Sequence, residues 1–178
     1  MMRVYSPDSI RFRINSFFVL TKPAIIRTLL ITTVPTMFVA EEGTPSLWLI
    51  IATMVGGSLA AAGANSFNMV LDADIDKKMN RTSNRPLVTG AITPKEATFF
   101  AFVLEIGAFI WLLSFVNLFS AFLAISATAF YVFVYTMWLK RSSTSNIVIG
   151  GAAGAVPVLI GWTAVTGTLG WAPILLFS

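Results

Sequence analysis

The sequence has no cysteine and no histidine, and only 11% of its 178 residues are charged. Without cysteine there are no disulfides and no thiolate sites. Without histidine there is no His-ligated metal, no His-ligated haem and no Ser-His catalytic pair. Any chemistry must therefore use carboxylates, amides, bases, hydroxyls and a bound ion. What is abundant instead is hydrocarbon: 56% of the residues are hydrophobic. That is too apolar for a soluble domain and resembles the composition of polytopic membrane proteins.

The apolar residues fall into runs. A spanning helix needs about 20 of them, and five runs reach that length, at 22–40, 46–70, 97–115, 117–139 and 146–167, with Trp171–Ser178 opening a sixth. The fold class expected is an all-α, polytopic transmembrane helical bundle of five complete helices plus the start of a sixth. Thr44-Pro45 and Thr93-Pro94-Lys95-Glu96 each set a hydroxyl before a proline at a first helical position, the second completing a capping box. They predict starts for helices two and three near Pro45 and Pro94.

Charge is as segregated as hydrocarbon. The twelve basic residues lie before and at the start of helix one (Arg3, Arg11, Arg13, Lys22, Arg27), between helices two and three (Lys77, Lys78, Arg81, Arg85, Lys95), or after helix four (Lys140, Arg141), while Glu41-Glu42 occupies an opposite connection. By the positive-inside rule the arm 1–21 and the loop 77–95 are cytoplasmic, with the protein in the cell (inner) membrane. The run from Phe17 is broken at Lys22-Pro23 and lacks a small-residue cleavage site, so no secretory signal is read. The basic balance reflects this topology and not nucleic-acid binding.

At the cytoplasmic end of helix two stands Asn68-Met-Val-Leu-Asp72-Ala-Asp74-Ile-Asp76. Residues four apart drift only about 40° around a helix. Asn68, Asp72 and Asp76 therefore share a face, with Asn65 in the same arc and Asp74 pointing elsewhere. Hard oxygen ligands of this kind suit Mg²⁺, which takes one or two carboxylates and completes its shell with water and phosphate oxygens. A phosphorylated substrate follows, with its apolar tail in the bilayer. Downstream, Arg81 and Arg85 are placed to grip a diphosphate, along a path set by Pro86 and Gly90.

The run Asn68–Gly90 resembles the first aspartate-rich motif of the UbiA superfamily of intramembrane prenyltransferases. Asp74-Ile-Asp76, Met79, Arg81-Thr82 and Arg85-Pro86-Leu87 are most similar to its haem-farnesylating branch, as are Leu20-Thr-Lys22-Pro23, Tyr135-Thr-Met-Trp-Leu-Lys140-Arg141 and the segment Asn146–Gly167. The resemblance implies transfer of a farnesyl group from farnesyl diphosphate to the vinyl carbon of haem B, giving haem O and diphosphate. It implies that Asn68, Asp72 and Asp76 hold Mg²⁺–diphosphate and that Lys22, Arg81, Arg85 and Lys140 contact phosphate, with Lys77 and Arg141 as lesser contacts. Family members have roughly nine spanning helices and a second aspartate motif in a later loop. Residues 1–178 are thus expected to be the N-terminal portion of a single membrane-embedded domain, associating with a C-terminal half or a second copy. A different UbiA-type acceptor, aromatic or quinone-precursor, stays open at this level. So does a transporter or assembly protein.

The remaining features have structural readings. Gly150-x-x-x-Gly154, Gly56-Gly57 and Ala60–Ala64 are expected to let helices approach closely, and Pro157 to kink helix five. Trp48, Trp138 and Trp171 read as interfacial belt residues. Glu105 lies near the bilayer midplane, where charge is expensive, and either a packing or a substrate role fits it.

Overall fold

Apolar runs become helices throughout the residues described, 10–142 and 146–177 of a computed structural model. Expectations for the arm before Ile10, Arg3 included, and for the Arg141 side chain lie outside them. In hydrocarbon every backbone group must be satisfied within its own segment, which leaves the helix as the available solution for this sequence. The order is α1 (Ile10–Leu20), α2 (Pro23–Glu41), α3 (Leu47–Leu71), α4 (Ala73–Asp76), a 3₁₀ turn (Asn80–Thr82), α5 (Pro86–Thr89), α6 (Pro94–Phe115), α7 (Leu118–Ala129), a π-helix (Phe130–Leu139), α8 (Lys140–Ser142), α9 (Asn146–Thr166) and α10 (Trp171–Phe177). Among the described residues four helices are long and apolar enough to cross a membrane: α2, α3, α6, and α7 with its π continuation. α9 supplies a further apolar helix. This is a helical membrane bundle, and the chain is a multi-pass membrane protein.

Three details differ from the sequence reading. The arm before helix one contains a helix, α1, whose Phe17 packs on Phe100 of α6 with ring centroids 5.0 Å apart, and whose Arg13 pairs with Glu96 at 2.5 Å. Helix two begins at Leu47, two residues past the expected proline: the cap is Ser46, whose hydroxyl accepts from the Leu49 amide at 3.2 Å, and Pro45 stays outside. Helix four changes register, because residues 130–139 follow the wider i→i+5 path, with the Thr136 hydroxyl donating to the Tyr131 carbonyl five residues back. By contrast the Thr93 capping box forms as read. The Glu96 amide donates to Thr93 Oγ1 at 3.3 Å and the Thr93 amide to Glu96 Oε2 at 2.8 Å.

Small residues set the packing. α3 lies closely along α6 and α2 along α9. A core of Ala60, Ala108, Leu112, Ala121, Ala124 and Ile160 holds α3, α6, α7 and α9 together. Side chains this short leave dispersion contact between near backbones as the main attraction, as expected where lipid removes the hydrophobic drive for association. Gly56 and Gly63 admit Leu112 and Glu105 of α6, and Gly150 admits the Tyr135 ring, whereas Gly57 and Gly154 have no such neighbour. Trp48, Trp138 and Trp171 are exposed. The tightest approach to another helix's backbone is at Gly161, where an added Cβ would stand 2.5 Å from the Thr33 carbonyl oxygen. Backbone cannot swing aside as a side-chain tip can, so Gly161→Ala should cost about 1–3 kcal/mol of overpacking. Thermal unfolding in detergent should show the loss, and Gly57→Ala should melt unchanged.

A second cluster, Leu20, Met69, Leu87, Ile92 and Ala97, ties the loop between α3 and α6 to the end of the bundle. Leu87 sits on α5, which Pro86 starts and Gly90 ends with φ 76°, a conformation glycine adopts without a Cβ penalty. The loop is therefore docked, and its polar residues have fixed addresses.

Candidate active site

α3 ends in polar residues that cannot reach lipid without cost. Asn65, Asn68, Asp72 and Asp76 are 4, 3, 1 and 4% exposed, whereas Asp74 is exposed. The helix passes from α3 to α4 through Asp72 without leaving the α region. The Asp72 amide donates to the Asn68 carbonyl and the Asp76 amide to the Asp72 carbonyl, both at 2.9 Å. One inward face of an amide and two carboxylates results, as the four-residue spacing predicts.

Cations from three separate elements meet this face. Lys22, at the α1–α2 junction, donates to Asn68 Oδ1 at 2.5 Å. Lys140, delivered by the π-helix, donates to Asp72 Oδ2 at 2.5 Å, and Arg85, just before α5, donates to Asp76 Oδ2 at 2.5 Å. Asn68 turns its amide nitrogen to Asp72 Oδ2 at 2.9 Å and to Thr136 Oγ1 at 3.1 Å. All but the bond to Thr136 involve an ionised partner in a shielded place, so each of those is stronger than a neutral one.

Local chemistry explains each placement. Lys22 has φ 51°, a left-handed conformation costing a non-glycine residue about 1–3 kcal/mol. The turn is held by the Thr21 amide donating to the Phe18 carbonyl at 3.2 Å, and by Asn65 Nδ2 donating to the Thr21 carbonyl at 2.9 Å. Arg85 is extended, as a residue before proline prefers, and that turns its side chain back to Asp76. Thr82, buried in the 3₁₀ turn, donates to the Asp76 carbonyl at 2.9 Å. For Lys140, the π-helix takes about one extra residue per turn, which rotates everything after Leu139 relative to an α path.

Burial lowers the Lys22 ammonium from 10.5 to about 8, with repulsion from Arg85 next in importance and Asp72 opposing. An anion arriving here would offset both penalties, so the ammonium is poised to favour one.

Not every residue expected here arrives. Arg81 is exposed on the 3₁₀ turn and makes none of the ion pairs seen among the described residues, and Lys77 is exposed after α4. The two arginines do not form a side-by-side fork, because the chain between them is not one helix. Thr136 was not singled out from sequence; it is fully buried and orients Asn68. Its signals were being the one threonine in the run Tyr131–Leu139 and lying within the segment Tyr135–Arg141 that carries the resemblance.

A cation can be tested against these donors. Asp72 Oδ1 is buried and has no hydrogen-bond partner, which is the kind of atom an oxygen-seeking ion completes. Among the described residues no three carboxylates converge. Asp72 and Asp76 with the Asn68 amide oxygen would thus leave much of a Mg²⁺ shell to water and phosphate, which is how that ion is usually held. The donor set fits Mg²⁺.

Beneath this polar end lies an apolar cavity of about 200 Å³ between α2, α3, α7 and α9, lined by Asn65, Tyr131, Ile25, Leu29, Ala60, Ala64, Gly150 and Pro157 among others. Tyr131 stacks on Tyr135 at 5.3 Å. A charged pole above an apolar chamber can accommodate an amphiphile with an anionic head.

The sequence model of the UbiA prenyltransferase family matches residues 29–178. The protoheme IX farnesyltransferase of Clavibacter sepedonicus is 52% identical over 163 residues, which are 92% of this chain and 53% of that protein. The protein of the same name from Streptomyces coelicolor is 54% identical over 166 residues, 93% of this chain and 53% of its own. The chain spans about half the length of the curated relatives it matches. Among solved structures, one from work on digeranylgeranylglyceryl phosphate synthase superposes with a TM-score of 0.80 at 21% identity, over 93% of this chain and 57% of the other. A UbiA homolog from Archaeoglobus fulgidus bound to DMAPP and Mg²⁺ superposes with a TM-score of 0.77 at 16% identity, over 91% and 59%. Both show the same fold.

Proposed function

The chain belongs to the UbiA prenyltransferase family, and from that premise we propose that residues 1–178, as one membrane-embedded domain, supply the diphosphate-binding pole of a farnesyltransferase that joins farnesyl diphosphate to haem B, giving haem O and diphosphate. The observation that carries this reading is the convergence of Lys22, Arg85 and Lys140 on Asn68, Asp72 and Asp76 above an apolar chamber. Names shared by relatives about 50% identical support farnesyl as the prenyl group and haem as the acceptor.

In the proposed reaction the allylic C–O bond breaks and its electron pair leaves with the diphosphate. The π electrons of the haem vinyl group form a C–C bond to that allylic carbon, and the cation left on the adjacent vinyl carbon takes up a water and loses a proton, giving the hydroxyl of haem O. Lys22, Arg85 and Lys140 neutralise the charge that gathers on the leaving group, and Arg81, at the rim, meets its outer oxygens. Mg²⁺, held by Asp72, Asp76 and Asn68, supplies further electrostatic stabilisation of the diphosphate when bound. The chamber's apolar walls keep water from the allylic carbon. Arranged fixed charges matter here because they cost no reorganisation as the bond breaks.

Two experiments test the reading. With the full family length in place, membranes supplied with farnesyl diphosphate, haem B and Mg²⁺ should yield haem O by chromatography; prenylation of an aromatic acceptor with haem untouched would overturn the haem assignment. Orientation is tested separately, since the cysteine-free chain permits clean labelling. Ser83→Cys should react with an impermeant thiol reagent from the cytoplasmic side and Gly43→Cys from the outside, and reversed labelling would move the site to the wrong face.

A further inference from the structure

α1 carries a face that the mechanism leaves unused. Ile10, Ile14 and Phe18 follow at four-residue spacing, so they share an arc of about 80° on the helix. They are 77, 64 and 58% exposed, whereas Ser16 and Leu20 on the far side are buried. Three large apolar side chains in one stripe are costly to leave in water. Arg11 and Arg13 flank the stripe, about 60° to one side of its centre and about 100° to the other, and the helix holds no acidic residue.

The position of α1 decides what covers the stripe. Its 11 residues make a rod about 16 Å long, roughly half the thickness of a bilayer core, and the left-handed Lys22 breaks it from the spanning α2. α1 therefore does not cross with α2. Its Phe17 meets Phe100, about 9 Å along α6 from Pro94, and the neighbouring Phe99 is 72% exposed on that spanning helix. The lipid-facing surface of α6 thus reaches the level of α1. An apolar stripe, flanking arginines and a place at the mouth of the spans are the marks of a helix that lies in the membrane interface.

We infer that α1 is a seat for anionic phospholipid at the site-bearing end of the bundle, with Ile10, Ile14 and Phe18 among the upper acyl carbons and Arg11 on the headgroup phosphates. A guanidinium can meet a phosphate with two parallel N–H donors while its stem lies along hydrocarbon. Exposed Lys77, Lys78 and Lys95 at the same end add to the positive field, and of the acids there Glu96 is already held by Arg13 at 2.5 Å. A protein partner fits less well: three part-exposed side chains offer well under the roughly 800 Å² per partner that stable protein interfaces bury. No residue of the diphosphate-binding pole lies in the stripe, so the seat stands independently of the farnesyl-transfer reading.

The test uses the cysteine-free chain in nanodiscs of mixed phosphatidylcholine and phosphatidylglycerol, which leave both faces open to solution. Ile14→Cys and, on the exposed flank, Asn15→Cys each carry an environment-sensitive nitrobenzoxadiazole. The Ile14 probe should emit to the blue and be quenched by nitroxides high on the acyl chain, while the Asn15 probe should answer to aqueous iodide. Nitroxide-bearing phosphatidylglycerol should quench the Ile14 probe at about a fifth of the concentration that nitroxide-bearing phosphatidylcholine needs, the factor one arginine gives at an anionic surface. Arg11→Gln or about 1 M salt should remove most of that preference. Ile10→Cys repeats the measurement on the same stripe should the Ile14 variant fail to fold. Iodide quenching of the stripe probe without lipid quenching would overturn the seat, as would shielding from both, the sign of a protein cover. Equal quenching by the two lipids, or a preference that Arg11→Gln leaves intact, would overturn the assignment to anionic headgroups.

Discussion

Asp72→Asn, made in the full family length, is expected to lower farnesyl transfer by about a hundredfold or more, since that is the usual size of a lost charge-stabilising group at a reacting centre. The substitution keeps the shape of the side chain and removes its charge from the point where Lys140 and Asn68 both bond, at 2.5 and 2.9 Å. It also leaves one oxygen where there were two, so the bonds to Lys140 and Asn68 and a cation at the partnerless Oδ1 can no longer all be satisfied. Asp76→Asn should act in the same direction, because its Oδ2 anchors Arg85. Asp74→Asn should be mild, since Asp74 faces outward. Product formation at several Mg²⁺ concentrations would check the series. A ranking with Asp74→Asn as the most damaging would refute the assignment of Asn68, Asp72 and Asp76 to the reacting face.

The second large effect concerns stability as much as activity. Lys140→Met leaves the Asp72 carboxylate, 2% exposed, without its cation. Breaking a fully buried pair costs about 3–5 kcal/mol, and the 30% exposure of the Lys140 side chain places this one at or below the lower end of that range. Much of the cost is the uncompensated charge, so pairing the change with Asp72→Asn should restore most of the melting temperature. Activity should stay lost in the double variant, because the diphosphate then meets neither group. Thermal unfolding in detergent and product assay, run on both single variants and the double, form a cycle. Independent, additive losses of stability would show that the pair is not a coupled unit.

Several elements were legible before any coordinates. A spacing of four from Asn68 to Asp72 to Asp76 places them on one face of any helix, and the structure buries all three while exposing Asp74. The capping box at Thr93 is a local exchange of two hydrogen bonds among neighbours, so four residues suffice to specify it. Spans follow from apolar length alone. Positions that depend on the path between elements were not legible. Arg81 and Arg85 look equivalent in sequence, but only Arg85 precedes a proline and turns to Asp76. Thr136 reads as one threonine among the apolar and aromatic residues of a span until α3 is laid beside it.

The sequence by itself determined that this chain is a membrane helical bundle, where its helices begin and end to within a few residues, and which oxygen ligands share a face. All of these are set by backbone hydrogen-bond satisfaction in lipid and by helical periodicity, which act over a few turns. The partners of those ligands were decided only in three dimensions. Lys22, Arg85 and Lys140 are separated from their acceptors by 46, 9 and 68 residues. They meet because a left-handed turn at Lys22, an extended Arg85 and a π-helical stretch before Lys140 aim them inward. The register of that π-helix depends on the competition between i→i+4 and i→i+5 bonding, a balance that the packing around Thr136 and Tyr131 tips and that composition and spacing do not encode.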